Sequence, residues 1–165
     1  MKKPVFKRLE GGCACNHVRY RLERSPMIVH CCHCHSCQRL SGSAFSINAM
    51  IETDQITLIG DGAPTALEDD PLMHRCPKCL LPLWGNHPMI GKAIAFVRVG
   101  NLDKADHLIP EVHYHTASKL PWVSIPQNVP TFEHGNEGDS LMDKEAQSRL
   151  NTKLERSELP PDRVD

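Results

Sequence analysis

Cys76-Pro77-Lys78-Cys79 is the stretch on which the reading of this chain turns. Its Cys-x2-Cys spacing is that of a zinc knuckle, in which a tight turn aims two thiolates at one ion. A second pair, Cys13-Ala14-Cys15, offers two more thiolates and can do so from a bent or bulged strand. Four thiolates make the closed tetrahedron of a structural zinc, with Zn–S distances of about 2.3 Å and no free position. In small zinc peptides such a site supplies roughly 10 kcal/mol of folding free energy. That supply matters here, because aromatic residues make up only 5% of the 165 and leave a lean core.

Between the two pairs lies a denser segment, Cys31-Cys32-His33-Cys34-His35-Ser36-Cys37. If the outer pairs satisfy one ion, this segment has to build a second site by itself. Cys32, Cys34 and Cys37 have the spacing Cys-x-Cys-x2-Cys and suit a loop entering a helical turn. Three protein ligands leave the fourth position to water or to a substrate thiolate, which is the pattern of a catalytic zinc. Cys31, Cys34 and Cys37 form a competing triple with ferredoxin-like spacing. Ser41 stands where the next ligand of that pattern belongs and no proline follows, which argues against an iron–sulfur cluster. Spacing alone leaves both Cys31 and Cys32 open. Thiolates outnumber His33 and His35, so these histidines are expected at the rim or hydrogen-bonded to metal-bound sulfur. His113 and His115 are two apart on a predicted strand and would share one face. The chain has no His-Glu-x2-His, no His-x-Glu and no glycine-rich phosphate loop.

The remaining composition limits the classes of function. A length of 165 residues suits one core, and 40% hydrophobic with 24% charged residues is a globular balance. Met1-Lys2-Lys3-Pro4-Val5-Phe6-Lys7-Arg8 lacks the apolar run of a signal peptide, and no stretch is apolar enough to span a membrane. A cytoplasmic, reducing location is therefore expected, in which close-spaced cysteines bind metal or catalyse rather than pair. The net charge of −1 and a pI near 6.8 argue against a nucleic-acid partner.

Short segments rich in β-branched or apolar residues predict strands over 17–22, 45–51, 55–59, 93–99 and 112–116. Turn signals separate them at Gly60-Asp61-Gly62, Asp70-Pro71, Asn86-His87-Pro88 and Gly100-Asn101. A helical turn is predicted over 36–40, stopped by Gly42. The fold class is mainly β with few short helices. Residues 1–134 form the zinc domain, and 135–165 form a polar tail with eight acidic and five basic residues. Within the tail, Ser140 and Asp143 resemble a capping box, and Leu141, Leu150 and Leu154 could line one face of a helix over 140–157. Such a helix would dock or form a homo-oligomer; the competing expectation is a solvated tail ending in Leu159-Pro160-Pro161.

These residues resemble a known family. Gly11-Gly12-Cys13-Ala14-Cys15 with Val18-Arg19-Tyr20 is followed by Cys32-His33-Cys34 and by Cys37-Gln38-Arg39, which runs into Ser41-Gly42-Ser43-Ala44-Phe45. Then come Cys76 and Cys79, Pro110, His113, Ser118-Lys119-Leu120-Pro121-Trp122, Pro130 and Phe132. Over about residues 8–133 the pattern is similar to the glutathione-dependent formaldehyde-activating family, which also includes centromere protein V. The resemblance implies a β-tent fold of antiparallel sheets carrying two zinc ions. It implies Cys13, Cys15, Cys76 and Cys79 on a structural zinc, and Cys32, Cys34 and Cys37, rather than Cys31, on a catalytic one. Cys31 would then be a buried, unligated thiol. The implied reaction is addition of the glutathione thiol to formaldehyde, a carbon–sulfur lyase reaction in reverse. Glutathione or another small thiol is the expected partner. Ser41, Ser43 or a histidine of the cluster would stabilise the developing oxyanion, and Arg39 would meet a substrate carboxylate or a surface carboxylate. The alternative, suggested by centromere protein V, is a noncatalytic zinc module that binds a protein or nucleic acid. The family usually has glycine after the first and last clusters, where this chain has Asn16 and Leu80. A left-handed backbone is expected at both, tolerated by Asn and strained for Leu.

Overall fold

A computed structural model describes residues 8–87, 91–135 and 141–156. Its chain forms ten strands and two α-helices among these residues: β1 Leu9–Gly12, β2 Arg19–Leu22, β3 Ile28–Cys32, α1 His35–Ser41, β4 Ser46–Glu52, β5 Ile56–Ile59, β6 Thr65–Leu67, β7 Asp70–Arg75, β8 Pro82–His87, β9 Gly91–Arg98, β10 Val112–Tyr114 and α2 Lys144–Arg156. They make a three-stranded sheet, β1-β2-β5, and a seven-stranded sheet, β10-β3-β4-β9-β8-β7-β6. The mainly β expectation with few helices holds, and two sheets with two cysteine groups suit the β-tent that the resemblance implies. One pair departs from antiparallel order: β10 runs parallel to β3, with His113 opposite Cys31.

The two faces of the large sheet do different work. One packs on the small sheet through Leu9, Val18, Tyr20 and Leu22 against Val29, Ala49, Ile51, Leu83, Trp84, Ala95 and Val97. Tyr20 and Trp84 meet edge to face at 5.5 Å inside this layer, while Tyr114, Phe96 and Phe132 pack on the opposite face. The other face carries Ile28, Met50 and Ile94 and is covered by Met142, Ala146 and Leu150. The C-terminal helix is therefore docked on its own chain. Its buried stripe runs Ala146, Leu150, with Leu154 partly buried; Met142 is buried just ahead of the helix, whereas Leu141 is exposed. Spacings of four residues bring these side chains to one face. Asp143 accepts the Ala146 N–H at 2.8 Å and supplies the cap. Ser140 and the closing Leu159-Pro160-Pro161 lie outside the described residues, as do residues 1–7 and Pro88. The helix is further tied down by Arg149, which donates through Nε to Glu52 Oε1 at 2.8 Å, and by Lys153 to Asp54.

Two turn signals prove to be strand. Asp70 and Pro71 begin β7, and the chain reverses instead at Glu68-Asp69, so that Leu67 pairs with Asp70. Asn86 sits inside β8, where its carboxamide donates to Ile94 O at 2.6 Å, and the register shifts between Asn86 and His87. Strands β1, β3, β6, β7 and β8 lie outside the strands predicted from the sequence; β3 shows no alternation because it is buried throughout.

Candidate metal centres

Each outer cysteine pair occupies the turn of an antiparallel hairpin. Cys13 and Cys15 join β1 to β2, where Gly12 faces Arg19; Cys76 and Cys79 join β7 to β8, where Arg75 faces Pro82. One hairpin belongs to the small sheet and the other to the large one, so the group lies where the two layers meet. The four sulfurs fall within 4.8 Å of one another. Cys13 Sγ is 3.5 Å from Cys15 Sγ, which is 3.7 Å from Cys76 Sγ. The turns are shaped for this purpose. Val18 N–H points at Cys13 Sγ, and Lys78 N–H points at Cys76 Sγ, at 3.2 and 3.4 Å. Gly12 is required beside them, since a Cβ there would stand 2.5 Å from Val18 O. Asn16 and Leu80 both adopt the expected left-handed conformation, at φ 57 and 58°. The Leu80 N–H closes the second turn on Cys76 O at 2.9 Å.

The chemistry of this donor set fits a soft divalent cation. At Cys13 burial opposes ionisation, but the Val18 N–H and the Cys15 and Cys76 sulfurs bring the thiol down to about 6. At Cys15 the His17 N–H pulls downward, yet the Cys13, Cys79 and Cys76 sulfurs and burial push the thiol up to about 11. Four thiols so crowded cannot all ionise against one another without a positive charge among them.

Cys32, Cys34 and Cys37 form the second group, with their sulfurs also within 4.8 Å. Cys32 ends β3, Cys34 is the N-cap of α1, with its sulfur accepting the Cys37 N–H, and Cys37 lies in the first turn of the helix. Gly42, at φ 61°, stops the helix with its N–H on Gln38 O. Hydrogen bonds from Cys32 and Cys37 hold the Cys34 thiol far below its ordinary range, helped by the Cys37 N–H and the charge of His115 against burial. Cys32 is pushed up by its bonds to Cys34 and Cys37 and by burial. Strand alternation separates the adjacent cysteines: Cys32 joins the group while Cys31, one residue earlier on β3, points to the opposite face of the sheet. Cys31 is 3% exposed, lies outside both groups, and its thiol is pushed up to about 11 by burial.

The histidines divide differently from expectation. His33 and His113 are both buried and meet ring to ring, Nε2 to Nδ1 at 2.8 Å, and burial pushes His33 down to about 4 and His113 also down. His33 therefore stays neutral and is spent on His113. His35 is exposed. His115 does not continue the strand face of His113, because β10 ends at Tyr114 and His115 turns to φ 57°. No histidine joins either sulfur group among the described residues. Ser41 also departs from its expected role: its hydroxyl donates to Cys37 O at 2.8 Å, as a helical residue does to the preceding turn. Ser43 is exposed and lines an open groove of about 540 Å³ with Gln38, Arg39, Leu120 and Trp122. Arg39 has no ion pair among the described residues, so the surface salt bridge considered for it is not formed there.

Sequence reading missed Arg98. It ends β9 opposite Asn48, donates from Nη1 to Asn48 Oδ1 at 2.8 Å, and brings the same nitrogen 3.9 Å from Cys37 Sγ. The signal was present as a lone charge in the apolar run Ala93-Ile94-Ala95-Phe96-Val97-Arg98-Val99.

A sequence profile of the family described as glutathione-dependent formaldehyde-activating enzyme matches residues 8–118. No curated protein matches the chain. A crystal structure of a protein from Rhodobacter sphaeroides aligns at 15% identity and a TM-score of 0.42, covering 74% of this chain and 99% of the other. No helix among the described residues is long and apolar enough to cross a membrane. With the profile covering both the outer cysteine pairs and the segment between them, the chain belongs to the glutathione-dependent formaldehyde-activating enzyme family.

Proposed function

We propose that this protein is a zinc-dependent enzyme of the carbon–sulfur lyase type that acts on adducts of glutathione, or another small thiol, with formaldehyde. The observation that carries this reading is a group of three sulfurs, two of them half-buried, at the start of α1, the same helix that lends Gln38 and Arg39 to an open groove; Arg39 has no ion pair among the described residues. Cys13, Cys15, Cys76 and Cys79 would hold a structural zinc, and Cys32, Cys34 and Cys37 a second one. A zinc held by three protein thiolates supplies an open position and lowers the pKa of a thiol that occupies it.

The residues of the groove beside α1 would do the rest. Arg39 meets a carboxylate of the thiol peptide, and Leu120 and Trp122 form an apolar wall along it. Holding thiol and aldehyde in one groove replaces a bimolecular encounter by a local one. The exposed Ser43 hydroxyl donates to the aldehyde oxygen as negative charge develops. In the net reaction a C–S bond forms, the carbonyl π bond breaks, and the thiol proton ends on the new hydroxyl. Eight free cysteines support a reducing location such as the cytoplasm. Residues 1–134 would then be a zinc domain, which contains both cysteine groups, and 135–165 an appended acidic segment.

Because thiols add to formaldehyde unaided, the test is the exchange rate between free glutathione and its S-hydroxymethyl adduct, measured by NMR above the uncatalysed background. The wild type should contain two zinc ions and accelerate exchange. Cys34→Ser should remain folded with one zinc and fall to background. A wild type with two zincs and no acceleration would instead make the protein a noncatalytic zinc module.

A further inference from the structure

We propose that Arg98 is a positioning residue that sets the charge around Cys32, Cys34 and Cys37 so that their site takes an anionic sulfur as its fourth ligand in preference to a neutral donor. This rests on the reading of that group as a zinc site. Arg98 is half-buried, and no carboxylate pairs with it among the described residues, whereas Arg8, Arg19, Arg21, Arg24, Arg75 and Arg149 all have acidic partners. A guanidinium withdrawn from water without a counter-charge is costly. Its neighbour Asn48 is neutral, and the nearest group among the described residues that can carry a compensating negative charge is the Cys37 sulfur, 3.9 Å from Nη1.

The arm is also held in place. Asn48, buried, accepts from Arg98 and stands 3.3 Å from His30 Nε2 through its own Nδ2. The His30 ring is wedged edge-on against Phe96 and Tyr114. Packing thus fixes His30, which orients Asn48, which orients the guanidinium at the sulfur. Partners behind the ligands in this way tune what a metal site will accept. Three thiolates and a divalent ion sum to a charge of about −1; a thiolate in the fourth position makes it about −2, and a neutral donor leaves it unchanged. A fixed positive charge favours the first addition and is indifferent to the second.

The test uses the full chain loaded with cobalt(II), whose absorption bands report its ligands, with Cys34→Ser identifying the bands of the three-cysteine site. Titration with 2-mercaptoethanol probes an anionic ligand and titration with imidazole a neutral one. In Arg98→Met, 2-mercaptoethanol affinity should fall about tenfold or more, equivalent to about 1.4 kcal/mol, with imidazole affinity unchanged. Arg98→Lys, which keeps the charge, should recover most of the loss. Asn48→Ala, which frees the arm, should weaken only the thiol, by a smaller factor. Equal losses for both ligands, or no loss for the thiol in any of these variants, would overturn the proposal. A wild type with no Cys34-dependent band would overturn the zinc reading itself, a result distinct from bands that persist with ligand affinities blind to charge.

Discussion

Leu80 offers a measurement of backbone strain at a metal-type turn. It stands at φ 58°, is 56% exposed, and donates its N–H to Cys76 O across the knuckle. Comparison of Leu80→Gly with Leu80→Ala removes the leucine side chain in both and leaves one difference, a Cβ in the left-handed region. That Cβ costs about 1–2 kcal/mol. Glycine gives back about 0.5–1 kcal/mol through its greater freedom when unfolded. Leu80→Gly should therefore be the more stable by about 0.5–1 kcal/mol, or roughly 1–4 °C in Tm for a chain of this size. Lys78, in the same turn and exposed, is not among the residues with positive φ. There the sign should invert, with Lys78→Ala above Lys78→Gly. Thermal unfolding followed by circular dichroism at fixed free zinc makes the comparison clean, because ligand concentration itself moves Tm. The reasoning fails if Leu80→Ala melts at or above Leu80→Gly, or if both positions show the same sign.

Four further outcomes are expected. Cys31→Ser should keep its full zinc content by elemental analysis while losing about 1–3 kcal/mol from a hydroxyl buried without a partner; Cys32→Ser should lose one equivalent. Leu150→Ala empties a buried position between α2 and the large sheet and should cost about 2–4 kcal/mol, a fall in Tm on the order of 10 °C, with zinc retained. Burial raises the Glu52 carboxyl, but the bond from Arg149 and the charges of Arg149 and Arg24 leave it below the ordinary value. Its contribution is then full above the unfolded value of about 4.3 and is lost as pH falls through the lower folded value, so Glu52→Gln should flatten the acid limb of the stability curve. Gradual chelation should remove one zinc first with the fold intact, and the second together with unfolding; simultaneous loss of both would contradict the assignment of separate roles.

The parts of this protein that were legible in its sequence are those that short segments specify by themselves. The Cys-x2-Cys turn, the cysteine segment running into a helix stopped at Gly42, and the left-handed Asn16 and Leu80 all depend on neighbours within a few residues. Pairing of Cys13 and Cys15 with Cys76 and Cys79 was readable only because thiolates need a common partner. What stayed hidden depends on contacts across the sheet. Arg98 acquires meaning only when β9 lies beside β4 and brings it to Asn48 and Cys37. The stripe of α2 was legible in part: Leu150 and Leu154 pack as their spacing suggests, whereas the surface they cover also takes Ala146 and, just ahead of the helix, Met142, and leaves Leu141 in water. Asp70-Pro71 suggested a turn by composition, yet a proline at the first positions of a strand loses little pairing.

The placement of one sulfur group at the meeting of two hairpins would make it a cross-link once a metal is bound. An ion binding there would tie Cys13 and Cys15 to Cys76 and Cys79 and convert the chain between them into a ring of roughly sixty residues, worth about 4 kcal/mol in lost freedom of the unfolded chain by the formula for disulfides. Residues 31–37 lie wholly inside that ring. Opening it would release the strand and helix that bring Cys32, Cys34 and Cys37 together, whereas emptying the inner group leaves the ring closed. With ions bound at both, dependence between the two centres would thus run in one direction: the inner one could be assembled, exchanged or lost on a frame that the outer one had already tied.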